Sequence, residues 1–172
     1  MQILETERLV LRPFREDDLD TLAVLFANRD FMRFSSSENG YTREQTAFVL
    51  GKFIGWNLAS VPSQFAVIWR ENEELIGYCG FLHQILDGER LIEIGYRIDP
   101  RYWNRGIATE AARAVRDYAF RDLHLEHVVS FIHPDNHASR RVAEKNGMTL
   151  EKQSMFRGFP TLVFGLRRPT KS

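Results

Sequence analysis

The residues best suited to binding an anion lie between a predicted strand and a predicted helix near the middle of the chain. Residues 101–109 read Arg-Tyr-Trp-Asn-Arg-Gly-Ile-Ala-Thr. The start of a helix leaves its first N–H groups unpaired and carries partial positive charge, so a phosphate binds there when side chains leave room. Gly106 and Ala108 keep this turn small, while Arg101 and Arg105 add charge. The turn predicts a phosphate site; the alternative is a helix that only packs close to the sheet.

Several other kinds of site are disfavoured by the same inspection. No Gly-Lys-Ser/Thr follows the turn, and the chain contains neither G-x-G-x-x-G nor G-x-S-x-G. His133, Asp135 and His137 have a spacing that resembles a metal motif. They fall at a strand-to-helix junction stiffened by Pro134, where they need not converge, so no metal site is expected. Cys79 lies in an apolar strand context and is expected to be a buried, inert thiol.

Hydrophobic periodicity and turn signals predict an α/β domain with a mixed sheet, extending over residues 1–172 as one domain. Thr42 and Gln45 fit a capping box at the start of one helix, and Gly147 fits a left-handed cap at the end of another. The predicted helices cover residues 16–28, 42–55, 105–120 and 136–146. The predicted strands cover residues 8–12, 64–69, 74–84, 89–99, 126–133, 148–156 and 160–166.

Composition and charge exclude some classes of partner. Hydrophobic residues make up 44% and charged residues 27% of the chain, which is typical of globular proteins. Lys+Arg and Asp+Glu both number 23, so neither nucleic acid nor a membrane is predicted as a partner. A single cysteine, a charged N-terminal segment and the lack of an apolar stretch of about 18 residues favour a cytoplasmic protein. A homodimer is the commonest soluble assembly, but the sequence does not decide the oligomeric state.

The segment Trp103–Ala108 resembles the acyl-CoA pyrophosphate loop of the GNAT superfamily, Q/R-x-x-G-x-G/A. Three segments in order resemble the Rim-type branch, which acetylates N-termini of ribosomal proteins: TERLVLRPFREDDLDTL, EIGYRIDPRYWNRGIATEA and HPDNHASRRVAEKNGM. The resemblance runs from about Glu5 to Leu166 and implies a GNAT fold, a mostly antiparallel sheet of about seven strands flanked by about four helices. Trp103 occupies the Q/R position, and Asn104 stands where this branch often has a second glycine. Ala143 replaces the tyrosine that serves many members as general acid.

The resemblance implies that acetyl-CoA donates an acetyl group directly to a primary amine without a metal, and it favours a protein N-terminal α-amine as the acceptor. Two alternatives stay open: a small-molecule amine as acceptor (a polyamine, amino acid or antibiotic), and a non-catalytic acyl-CoA-binding module, which the missing tyrosine makes conceivable. The residues expected to contact acetyl-CoA are Ile94, Tyr96, Ile98, Arg101, Trp103, Asn104, Arg105, Gly106, Ile107, Ala108, Thr109, Asn136 and Ser139.

Direct transfer needs a base for the amine, donors for the oxyanion and an acid for the thiolate. Glu93, between Ile92 and Ile94, is the candidate base, because partial burial would raise its pKa; alternatively it is an exposed strand residue paired with Arg97. Gly95 marks either a close backbone approach near the oxyanion or a packing requirement.

The resemblance assigns the acid to Ser139 and a pantetheine contact to Asn136, which also fits a helix N-cap. The loop 31–41 is expected to line the acceptor groove.

Overall fold

The computed structural model describes residues 2–169, which fold around one eight-stranded sheet. The strands are β1 (Leu4–Glu5), β2 (Leu9–Pro13), β3 (Gln64–Trp69), β4 (Glu74–Leu86), β5 (Glu89–Ile98), β6 (His127–Ile132), β7 (Thr149–Phe156) and β8 (Phe159–Arg167). The helices are α1 (Leu19–Ala27), α2 (Arg29–Met32), α3 (Arg43–Leu58), α4 (Ile107–Arg121) and α5 (His137–Lys145).

The sheet separates at its centre, between β5 and β6. Its strand order is β1-β2-β3-β4-β5-β6-β8-β7, and β5 and β6 are the parallel pair while the other neighbours are antiparallel. Within residues 2–169 the ladder between these two strands consists of one pair, Glu93 opposite Val129. The Ser130 hydroxyl then donates to the carbonyl oxygen of Ile94 at 2.7 Å. Beyond that point β5 has no ladder partner in β6, which leaves room between the strands.

The two faces of β5 belong to different cores. Ile94 and Ile98 pack with α4, in a cluster that includes Ile107 and Val115. On the opposite face, α1 and α3 pack over β3 and β4, with Tyr78 and Leu82 against that cluster. Because side chains alternate along a strand, the side of β5 that carries Glu93 and Arg97 faces away from α4. Consecutive side chains of β5 therefore lie on opposite faces of the sheet.

The structure confirms the α/β fold and contains two short elements that the sequence did not predict, one strand and one helix. The eighth strand, β1, has two residues and pairs with Val10 and Leu11, which is too short for a periodic pattern. The fifth helix, α2, follows immediately after α1, because the Asn28 side chain accepts hydrogen bonds from Asp30 N and Phe31 N and starts a new helix. The capping box at Thr42 is present, and Gly147 has a φ of 87° as predicted.

Candidate active site

The turn before α4 has the backbone geometry of an anion site. Asn104 and Gly106 both have left-handed backbones, with φ of 57° and 74°. The first helical hydrogen bond joins Glu110 N to Gly106 O, so the N–H groups of residues 107–109 precede the helical ladder. Gly106 is the N-cap and supplies no side-chain acceptor to these groups. By contrast, Thr42 caps α3 and Asn136 caps α5 with their side chains. The start of α4 is thus free to receive an external anion.

A cavity of about 450 Å³ extends along this helix start towards α5 and the loop after α2. It brings together most residues of the predicted donor site: Tyr96, Ile98, Trp103, Asn104, Gly106, Ile107, Ala108, Thr109, Asn136 and Ser139. Its size lies within the about 300–1,000 Å³ that is typical of small-molecule sites. Arg141 and Lys145 add positive charge at its α5 side. The cavity therefore suits a long molecule with a phosphate group at the start of α4.

The structure does not bring the two predicted arginines of the turn into this cavity. The Arg101 guanidinium donates to Asp99 and forms an ion pair with Glu74, and these carboxylates raise its pKa. The Arg105 guanidinium lies over the rings of Trp69 and Tyr102, at 5.0 and 5.4 Å from their centroids. Both side chains stabilise the turn from outside. Backbone N–H groups, rather than these guanidinium groups, are the donors that the structure offers to a phosphate.

Glu93 is buried, with 8% of its surface exposed, at the point where the strands separate. Gln84 Nε2 donates to its Oε2 at 2.7 Å, and Phe131 N donates to its Oε1 at 3.4 Å. Burial raises the pKa of the Glu93 carboxyl, against the opposing effects of the Gln84 bond, the Phe131 bond and the charge of Arg97. Glu93 lines a smaller cavity of about 140 Å³ that also reaches Ser139. A buried carboxylate with a raised pKa has the properties of a general base.

Ser139 and Asn136 line both cavities, on the α5 side of the gap. The Asn136 side chain accepts from Ser139 N at 3.1 Å, so it caps α5 as expected. The Ser139 carbonyl oxygen accepts from the Tyr96 hydroxyl at 2.8 Å. This bond places a second hydroxyl next to the candidate acid, although the pKa of Tyr96 is raised by burial. Ala143 is buried in the core beneath, so α5 presents no tyrosine at that position.

Gly95 marks a close approach and not a bulge in its pairing with β4, because β4 and β5 pair in continuous register from Gly77 to Leu86. A Cβ at Gly95 would lie 3.3 Å from Leu82 Cδ1 and 3.6 Å from Gln64 Nε2. The Gln64 amide is buried, and neither of its polar atoms has a hydrogen-bond partner among the described residues. Ile94, which the sequence predicted beside the oxyanion, lines the smaller cavity. Periodicity gave no signal for Gln64.

The sequence also gave no indication of an aromatic contact between two residues that line the smaller cavity. Phe34, with φ of 61°, stacks on His133 at 5.1 Å between centroids, and Phe34 lines both cavities. Arg97 Nη1 donates to the carbonyl oxygens of Phe31 and Arg33, at 2.8 and 2.9 Å. These bonds hold the segment after α2 against β5. Of the loop 31–41 that was expected at the acceptor groove, Phe31, Arg33 and Phe34 line the larger cavity. The position of these residues depends on long-range contacts that no local pattern reveals.

The remaining sequence candidates have ordinary surroundings. Cys79 is buried, and burial raises the pKa of its thiol. His133 is 3.9 Å from Asp135 and stacks on Phe34; within residues 2–169 no three His, Cys, Asp or Glu side chains are grouped to hold a metal ion. No helix in this part of the chain is long and apolar enough to cross a membrane.

Comparison with known proteins identifies the family. The profile of the Acetyltransferase (GNAT) domain matches residues 8–149, so the chain belongs to the GNAT acetyltransferases. A Bacillus subtilis protein, the uncharacterized N-acetyltransferase YoaA, is 31% identical over 97% of both chains. Another from the same species, the uncharacterized N-acetyltransferase YnaD, is 31% identical over 86% of this chain and 83% of its own. The chain is an acetyl-CoA-dependent N-acetyltransferase.

Solved structures share the fold closely. A GNAT acetyltransferase from Bacillus anthracis has a TM-score of 0.81 and 28% identity, covering 96% of this chain and 98% of its own. RimL, the ribosomal L7/L12 alpha-N-protein acetyltransferase, crystallised with coenzyme A, has a TM-score of 0.82 at 20% identity, covering 97% and 98%. At that identity the second likeness shows the fold alone.

Proposed function

We propose that this enzyme transfers the acetyl group to a primary amine at the end of its acceptor, a protein N-terminal α-amine of the ribosomal-protein type, with Glu93 as base. The observation that carries the proposal is the position of Glu93, buried where β5 and β6 separate, in a cavity that also reaches Ser139. The three ordered sequence segments and the fold of RimL support the Rim-type acceptor. A ribosomal-protein acceptor would place the reaction in the cytoplasm.

The chain's residues fit acetyl-CoA, which supplies the acetyl thioester when bound. Backbone N–H groups at residues 107–109 would hold the pyrophosphate, and Asn136 and Tyr96 would line the pantetheine path. With the donor held in this way, its thioester would lie towards the gap beside Ile94. Arg141 and Lys145 complement the negative charge of the donor.

Glu93 would accept the proton of the amine, through a water or directly. An α-amine has a pKa near ~8 and is partly neutral at pH 7, whereas a lysine side chain near ~10.4 is not. A moderately strong carboxylate base therefore suffices for an N-terminus and is less suited to a lysine. The Ser139 hydroxyl would relay a proton from water to the departing thiolate, receiving one proton as it gives up its own. Because a thiol has an ordinary pKa of ~8.5, its thiolate is a good leaving group and needs only this weak assistance.

The proposal is tested by the release of free thiol from acetyl-CoA in the presence of defined amines. We expect peptides with a free N-terminus to be acetylated, and the same peptides with a blocked N-terminus and an internal lysine to be poor acceptors. Faster acetylation of a polyamine or an antibiotic amine would favour the small-molecule alternative. Tight coenzyme A binding without turnover of any amine would instead favour a binding module.

Replacing Ser139 with alanine is expected to lower kcat by about tenfold, with a smaller effect on the affinity for coenzyme A, because water can partly replace a weak acid at a thiolate. The matched variant Tyr96→Phe removes the neighbouring hydroxyl, which donates to the Ser139 carbonyl oxygen. Single-turnover rates of thiol release measure both. A larger loss in Tyr96→Phe than in Ser139→Ala would transfer the acid role to Tyr96.

A further inference from the structure

The smaller cavity contains an unpaired positive charge. Arg97 lines it and is half-buried, yet within residues 2–169 no carboxylate forms an ion pair with its guanidinium. Arg12 and Arg8, by comparison, each have a carboxylate at 2.7 Å. A guanidinium that is removed from bulk water is stabilised when it binds an anion, and a carboxylate matches its planar, forked geometry.

The guanidinium has donors to spare. Both carbonyl oxygens that it holds, those of Phe31 and Arg33, accept from Nη1. A guanidinium carries five N–H donors, so the donors on Nη2 and Nε are not used by these bonds. Anchoring the loop therefore accounts for one nitrogen of Arg97 and leaves the rest of the fork for a ligand.

A second donor lies beside it. Tyr78 is directly opposite Arg97 in the register of β4 and β5, and it lines the same cavity. Burial raises the pKa of the Tyr78 hydroxyl, while the charge of Arg97 opposes this shift. At neutral pH the hydroxyl is protonated. Its proton can therefore be donated to an acceptor in the cavity.

Glu93 and Arg97 present groups of opposite charge to the same cavity, which suits a molecule that carries both an amine and a carboxylate. The residues are four apart on one face of β5, so their Cα atoms are about 13 Å apart. Their side chains face one cavity of about 140 Å³, well below the about 300–1,000 Å³ of sites for larger ligands. Apolar walls from Phe34, Leu82 and Phe131 complete it. Such a space admits the amine and a nearby carboxylate of an acceptor, while the rest of a longer acceptor would lie outside it.

We propose that the acceptor of this enzyme carries a carboxylate close to its reactive amine, and that Arg97 and Tyr78 bind this carboxylate while Glu93 receives the amine. The inference rests on the proposed function and narrows its acceptor class. Two sources supply this chemistry: a free amino acid with its α-carboxylate, and a peptide N-terminus with an acidic side chain in its first residues.

The test compares acceptors that differ in one carboxylate. The first pair is an amino acid and its carboxamide; the second is a C-terminally amidated peptide beginning Ser-Asp and its Ser-Asn equivalent. Thiol release gives kcat/KM for each, corrected for the fraction of neutral amine at the assay pH. We expect the carboxylate member of at least one pair to be preferred about tenfold or more, since hydrogen bonds to charged groups are the stronger ones. The pair with the larger preference identifies the source.

Two variants distinguish binding of the acceptor carboxylate from anchoring of the loop by Arg97. Tyr78→Phe keeps the ring contacts with Phe26 and Phe31 and removes the hydroxyl. Arg97→Gln removes the charge. We expect both to reduce the preference for the carboxylate member severalfold or more, while the rate with the uncharged member changes less. A purely structural role would lower both rates equally and leave the ratio unchanged, which would overturn the inference. Equal rates with both members of each pair in the wild-type enzyme would overturn it as well, whereas absence of turnover with every amine would overturn the proposed function itself.

Discussion

Replacing Glu93 with glutamine is expected to lower turnover by about a hundredfold or more at pH 7, because positioned bases typically contribute about 10²–10⁴-fold. Coenzyme A affinity should be unchanged, since Glu93 lines the smaller cavity and not the turn at α4. The deficit should shrink as the pH rises past ~8, where an α-amine is already neutral without a base. A pH profile of kcat/KM measures this directly.

The control for this variant is Glu89→Gln, an exposed carboxylate at the start of the same strand, which should keep wild-type turnover. Stability provides a second check. The folded-state pKa of Glu93 is raised from 4.5, so the folded protein holds this proton more tightly than the unfolded chain. Ionising it therefore weakens folding as the pH rises above 4.5, and the full cost is reached above the folded-state pKa. Glu93→Gln should thus be at least as stable as the wild type at pH 7; wild-type turnover in this folded variant would end the candidacy of Glu93 as base.

Replacing Gly106 with valine is expected to weaken coenzyme A binding by tenfold or more. The φ of 74° at Gly106 costs about 1–2 kcal/mol for a residue with a Cβ, and a β-branched residue is worse suited still. The nearest neighbour of an added Cβ is Arg8 Nη2 at 3.6 Å. The substitution therefore acts by shifting the backbone of the turn, so that the N–H groups of residues 107–109 no longer converge. Calorimetric titration with coenzyme A measures the loss.

The matched control is Gly88→Val. Gly88 has a φ of 82° in the turn between β4 and β5, and an added Cβ there meets nothing within 4 Å. Both variants impose similar backbone strain, and both should lower the midpoint of thermal unfolding. Only the change at Gly106 should alter coenzyme A affinity. Equal affinities in the two variants would remove the turn from the donor site.

The sequence predicted which residues come together at the start of α4, because the signals for that arrangement are local. A strand, a turn with a small residue and a helix are neighbours in the chain, so Gly106, Ala108 and Thr109 could be placed together before any tertiary contact was known. Arg101 and Arg105 were expected at the same turn for the same reason. The actual positions of these two side chains are determined by residues about thirty positions away in the chain. Arg101 forms an ion pair with Glu74, and the Arg105 guanidinium lies over the Trp69 ring, so both point away from the donor cavity.

The acceptor side could not be predicted to the same depth, because it is assembled from distant segments. Phe34 stacks on His133, which is about one hundred residues further along the chain, and Arg97 donates to the carbonyl oxygen of Phe31. The pairing of Tyr78 with Arg97 follows from the register of two strands, which alternation alone does not determine. Glu93 was a reasonable candidate from its apolar neighbours, but its burial required knowing where the sheet separates.

Because the start of α4 has no side-chain cap, the stability of the folded chain should depend on the concentration of its cosubstrate. A helix whose first N–H groups lack a side-chain acceptor is completed when a phosphate binds there. Any ligand that binds only the folded state reduces the unfolded population, by about a hundredfold when its concentration is a hundred times its dissociation constant. The amides of Ile107, Ala108 and Thr109 should therefore exchange with solvent more slowly when coenzyme A is present. The midpoint of thermal unfolding should rise for the same reason, so the donor contributes to the stability of the enzyme that uses it.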